Sequence, residues 1–151
     1  MGFQLSSVYR ASAHEASAAC AASPAEAFDA LLDGPALERL RALDPSGAAG
    51  LLRRVLVTYV GSLDKLLAQM ASARATGDAA GVRHVVHTLK SSSASIGALA
   101  LSLQCAELER ALREGGEGAL AGGALGDRLD ALAAEGARLG AALRTALGPR
   151  R

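Results

Sequence analysis

Val82-Arg83-His84-Val85-Val86-His87-Thr88-Leu89-Lys90-Ser91-Ser92-Ser93-Ala94-Ser95-Ile96-Gly97 is the stretch on which the reading of this chain turns. At about 100° per residue, Val82, Val85, Val86 and Leu89 point to one side of a helix, the side that a core would cover. Arg83, His84, His87, Lys90, Ser91 and Ala94 line the opposite side at steps of three and four, so His87 faces solvent. Ser93 and Ile96 continue the apolar face, and Gly97 stops the helix sharply.

Working outward, Gly77 closes the preceding helix in the left-handed conformation that glycine adopts at little cost, and Asp78 caps the next one through its carboxylate. That preceding helix is long and amphipathic: Leu52, Val55, Leu56, Tyr59, Leu63, Leu66, Leu67 and Met70 recur at helical spacing. On the other side of Gly97, Leu101, Cys105, Leu108 and Leu112 form a buried stripe. Beyond a glycine-rich loop, Gly115 to Gly126, leucines at 125, 129, 132, 139, 143 and 147 mark a last helix. Four long helices joined by short loops predict an all-α, antiparallel up-down four-helix bundle. Ser23-Pro24 and Pro35 open two short helices before it, the second carrying Leu37, Leu40 and Leu43, and both are expected to pack on the bundle as caps. Residues 1–23 form a Ser/Ala run without apolar period and are expected to be a loose tail, leaving 24–148 as the domain.

Composition agrees. Of 151 residues, 35 are Ala and 25 Leu, while aromatics make up only 3%, which suits helices packed on helices and disfavours sheets. Sixteen basic and fifteen acidic residues are scattered, so no nucleic-acid footprint exists. The longest uncharged run, residues 91 to 106, is too short and too serine-rich to span a bilayer. Cys20 and Cys105 form no metal or disulfide spacing, which fits a reduced, cytoplasmic protein. Met1-Gly2 with Ser6 matches only a bare, permissive acylation pattern. The abundance of Arg, Ala, Gly and Leu, with two Lys and no Asn, points to a GC-rich bacterial genome.

Most enzyme signatures are missing. Neither lysine stands in a G-x-x-x-x-G-K-[ST] loop, Gly116-Glu117-Gly118 follows no strand, His14-Glu15 lacks a second histidine four residues on, and no G-x-S-x-G elbow is present. What remains is His87. A solvent-facing imidazole is largely uncharged near neutral pH and offers one ring nitrogen's lone pair as a nucleophile. Lys90, one turn on, can neutralise a developing anion, which suits phosphoryl transfer, and Ser91 keeps the surface low for a docking partner. Taken alone, His87 reads more simply as an incidental surface histidine. A metal site of His84, His87 and Cys105 is disfavoured because Cys105 falls on a buried stripe and no acidic third ligand is evident. Glu109 and Arg113, spaced i, i+4, read most economically as surface helix support.

The run His87-Thr88-Leu89-Lys90-Ser91-Ser92-Ser93, then Ile96-Gly97-Ala98, then Leu101, Cys105, Leu108 and Glu109, with Arg113 and Gly115 beyond, resembles the histidine-phosphotransfer (Hpt) domain family. Gly77-Asp78 before the histidine helix and Tyr59 in the helix before that extend the likeness over about residues 34 to 147. Val86 in place of the usual Ala and Ser91 in place of the commoner Gly are mild departures. The resemblance implies bundle helices at about 47–76, 78–95, 98–115 and 124–147. It also implies a phosphorelay intermediate in which His87 accepts a phosphoryl group from a receiver-domain aspartate and passes it to another. Lys90 would steady that group and Ser91 would admit the receiver's acidic pocket, with Leu37 and Leu40 adding to the docking surface. Beside His87, Arg83 reads equally as a solvated charge or as an attraction for an acidic receiver surface, and with His84 and Ala94 it is the expected partner contact. The expected partners are response-regulator receivers and a hybrid sensor histidine kinase. No cofactor or nucleotide site is expected in the carrier, with Mg2+ confined to the receiver, and a monomer is expected. Against this stand a helical interaction module that binds and regulates kinases or regulators without transferring phosphate, and a purely structural helical protein.

Overall fold

The computed structural model describes residues 23–149. Six α-helices lie along them: α1 (Pro24–Leu31), α2 (Gly34–Ala42), α3 (Leu51–Ala75), α4 (Ala79–Ile96), α5 (Leu99–Gly115) and α6 (Gly123–Leu147), with no strand among the described residues. α3 packs on α4, α4 on α5, α5 on α6, and α6 back on α3, which closes the antiparallel four-helix bundle that the apolar periods predict. α1 lies on α6, and α2 on α3 and α4. The tail expected over residues 1–23 falls, but for Ser23, outside the described residues. So do Cys20, His14-Glu15 and the Met1-Gly2 pattern.

The core is leucine and valine, interdigitated from all four bundle helices. Leu56 and Leu63 of α3, Val82, Val86 and Leu89 of α4, Leu108 of α5, and Leu129, Leu132 and Leu143 of α6 are fully buried. Each such side chain contributes about 1.5–3 kcal/mol through removal from water. With few aromatics to fill space, the helices approach closely. Gly136 of α6 sits where an added Cβ would lie 3.2 Å from Leu67 of α3.

Caps fix the helix starts. Ser23 and Glu26 form a reciprocal capping box on α1, the Asp33 carboxylate accepts from the Ala36 N–H at 3.1 Å, and Asp78 accepts from the Gly81 N–H at 2.9 Å. Gly77 is left-handed (φ +70°), as its position predicts. α3, however, starts at Leu51 rather than near residue 47. The Asp44 carboxylate reaches forward to accept from the N–H groups of Ala49 (3.4 Å) and Leu51 (3.1 Å), holding the intervening residues in turns. Leu43, expected to face the body with Leu37 and Leu40, is 72% exposed, because α2 ends at Ala42. The glycine-rich loop contains a 3-10 helix over Gly116–Ala121, whose Ala119 and Leu120 pack on the core.

Gly97 is the joint between α2 and the end of α4. It is left-handed (φ +87°), its carbonyl accepts from the Asp33 N–H at 2.9 Å, and a Cβ there would lie 2.8 Å from the Asp33 nitrogen and 2.9 Å from the Ala36 Cβ. Gly97→Ala is therefore expected to cost about 2–4 kcal/mol, combining left-handed strain with a backbone clash. Thermal denaturation would then show a midpoint lower by about 5–15 °C. An unchanged midpoint would mean that α2 is not held through this joint.

Candidate functional site

His87 stands on the outer face of α4 with 58% of its side chain exposed. Its ring is nevertheless anchored. Nδ1 lies 2.7 Å from Glu109 Oε1 on α5, and the Glu109 side chain is only 10% exposed. Glu109 belongs by spacing to the buried stripe of α5, four residues after Cys105 and three before Leu112. A charge in that place needs partners, and it has them. Lys90 Nζ donates to Glu109 Oε2, and the Arg113 guanidinium lies 3.5 Å from Oε1.

The Lys90 hydrogen bond holds the Glu109 carboxyl below the usual carboxylate range, with the His87 bond adding to it against the opposing effect of burial. An ionised carboxylate only accepts, so His87 Nδ1 is the donor. In the neutral ring, Nε2 then bears the free lone pair, directed away from Glu109.

The layer beneath keeps α4 in register. Ser102 Oγ donates to the Lys90 carbonyl at 3.0 Å, tying the turn that carries Lys90 to α5, and the buried Tyr59 hydroxyl and Ser93 Oγ are hydrogen-bonded at 2.9 Å between α3 and α4. Cys105 is fully buried, and its thiol is pushed up to about 12 by desolvation, with the Glu109 charge adding to the effect. It stays a thiol and acts as a small core residue.

Of the residues singled out by sequence, Arg83, His84, His87, Ser91 and Ala94 are all exposed on α4. Arg83, His84, His87 and Glu109 share a shallow hollow of about 250 Å3. Hydroxyls around the histidine turn back on their own helix: Ser91 donates to the His87 carbonyl (3.3 Å) and Ser95 to the Ser91 carbonyl (2.9 Å), leaving a low surface. Three expectations need correction. Lys90 is not on the open face but 32% exposed, with its ammonium turned to Glu109. Glu109 is not surface helix support but the buried anchor of the site, and Arg113 joins it there. Leu37 is fully buried and offers nothing to a partner, while Leu40 lines a hollow between α1, α2 and the bundle end.

Among the described residues, no three His, Cys, Asp or Glu side chains are grouped to hold a metal ion, and no helix is long and apolar enough to cross a membrane.

A helical bundle presenting one anchored, solvent-facing histidine is the architecture of an Hpt domain. The Hpt domain family model matches residues 54–144, and the chain belongs to that family. Among solved structures it is similar to the histidine-containing phosphotransfer protein B (HptB) of Pseudomonas aeruginosa PAO1. That similarity is 28% in sequence identity with a TM-score of 0.60, over 78% of this chain and 90% of that one. No curated protein matches the chain. Family and similarity together support a histidine-phosphotransfer role in a phosphorelay, the work of a phosphocarrier that meets receiver domains and kinases.

Proposed function

We propose that His87 is the phosphoacceptor, taking a phosphoryl group from a receiver-domain aspartate of a hybrid sensor kinase or response regulator and passing it to another receiver aspartate. One observation carries this reading: Nδ1 is held 2.7 Å from a buried carboxylate, so an otherwise exposed ring is fixed with its nucleophilic nitrogen outward. Nε2 attacks phosphorus, the N–P bond forms, the P–O bond to the aspartate breaks, and the electron pair leaves on the carboxylate. Nε2 needs to lose no proton, because the ring's single N–H is on Nδ1. Positive charge grows on the imidazole as the bond forms, and Glu109 accepting from Nδ1–H stabilises it, as a carboxylate does behind any imidazole that becomes cationic. Lys90, one turn after His87 with its ammonium on Glu109, swings over to steady the phosphoryl oxygens, Ser91 leaves room for the receiver, and Arg83, His84 and Ala94 extend the contact face. The carrier contributes no nucleotide site and no metal of its own to this step. The divalent cation works in the receiver's acidic pocket. The carrier acts as a monomer, and residues 24–148 constitute the working domain.

The test is transfer from phosphorylated receivers of the same genome onto the 15.2 kDa chain, with the modified peptide identified by mass spectrometry. The expected result is an acid-labile, base-stable phosphate on His87. Receivers that bind but never transfer would instead establish a non-transferring interaction module.

A further inference from the structure

We infer that Arg83 is a phosphoryl-binding residue of this site, the cation that holds the phosphoryl group on His87 from the side opposite Lys90. The inference rests on the reading of His87 as phosphoacceptor. Two cations flank His87 along α4, Arg83 one turn before it and Lys90 one turn after it, each at a spacing that brings side chains together on a helix surface. They are not equivalent. The Lys90 ammonium donates to Glu109 Oε2 and is only 32% exposed. Arg113, one turn after Glu109 on α5, also has its guanidinium on that carboxylate. Arg83 is exposed and has no ion-pair partner among the described residues.

Position agrees with availability. Arg83 lines the same hollow as His87 and Glu109, between α4 and α5. It also borders the adjoining hollow in which Glu117 lies, without pairing with that carboxylate. Charge agrees too: a phosphoryl group brings anionic oxygens to His87, and with Lys90 and Arg113 both set on Glu109, Arg83 is the cation in this hollow left to meet them. A guanidinium also offers planar, paired N–H donors that match phosphoryl oxygens, so the group suits the geometry as well as the charge.

A docking role and a phosphoryl-holding role separate cleanly by thermodynamics. The equilibrium between free phospho-receiver plus carrier and free receiver plus phospho-carrier does not depend on how tightly the two proteins meet. It depends on how stable the phosphoryl group is on each. Both roles change transfer rates, but only the second changes the equilibrium constant.

The experiment measures that constant by mixing radiolabelled phospho-receiver with wild type, Arg83→Gln and Arg83→Lys at several protein concentrations until the distribution of label is constant. The expected result is a constant shifted about 3–10-fold towards the receiver in Arg83→Gln, the size of one partly exposed charge-assisted contact, and partly restored in Arg83→Lys, which keeps the charge but not the paired donors. An unchanged constant, with transfer slowed or not, overturns the inference and leaves Arg83 at most a docking charge. A wild-type protein that carries its label elsewhere than His87 overturns the phosphoacceptor reading itself, and the inference with it. Melting curves of the variants separate both outcomes from loss of fold.

Discussion

His87→Gln is expected to accept no phosphate from any receiver that labels the wild type, a loss of about 1,000-fold or more, reaching the assay floor. The reason is chemical rather than structural. Glutamine has no nitrogen with a free lone pair that can form a stable N–P bond, since its amide nitrogen is conjugated to the carbonyl. Its side chain is close in reach to histidine, stands on an exposed face, and can donate an N–H to Glu109, so Lys90 and Glu109 keep their arrangement. Unchanged helicity and melting temperature would accompany the loss. His84, one turn earlier and exposed, is the nearest other imidazole among the described residues. Label persisting in His87→Gln and vanishing in His84→Gln would move the acceptor there and sink the assignment of His87.

Much of the bundle is legible in the sequence because its signals are local. Leu52 to Met70 announces α3 by period alone, and Gly77-Asp78 and Gly97 mark helix ends by backbone and capping chemistry that needs no tertiary context. His87 is placed outward by the same arithmetic. Glu109 is the main miss, and its case shows where local reasoning stops. The i, i+4 relation to Arg113 supplies an adequate local partner, whereas the groups that matter, His87 and Lys90, are 22 and 19 residues away on a neighbouring helix. A usable signal existed nonetheless: Glu109 occupies a stripe position between Cys105 and Leu112, and a carboxylate on a buried stripe requires donors from across the bundle. The start of α3 was hidden for a similar reason, since the Asp44 carboxylate reaches seven residues ahead to Leu51. Leu43 follows a helical spacing that continues one residue past the last helical turn.

Glu109→Ala is expected to lower the rate of transfer through His87 by about 10–100-fold, the usual range for removing a residue that orients a reacting imidazole. Three consequences combine. The ring loses the acceptor that fixes its tautomer, so Nδ1 and Nε2 compete for the proton, and the cation forming on the ring loses its counter-charge. Lys90 and Arg113 are also released from their shared anion, which loosens the face a receiver must meet. Glu109→Gln separates these effects. Its amide oxygen can still accept from Nδ1–H but carries no charge, so transfer should fall between wild type and Glu109→Ala.

Acid titration gives a second readout. Because Lys90 and His87 hold the Glu109 carboxyl below its usual range, ionised Glu109 stabilises the fold fully above the ordinary glutamate value. That contribution is lost as pH falls through the lowered folded value. The stability advantage of wild type over Glu109→Gln, read from urea midpoints, should therefore not shrink between neutral pH and about 5, and should be lost only in stronger acid. An advantage that fades already between pH 7 and 6 would mean that the carboxylate is not held by Lys90. A Glu109→Ala protein that transfers as fast as wild type would mean that His87 needs no anchor.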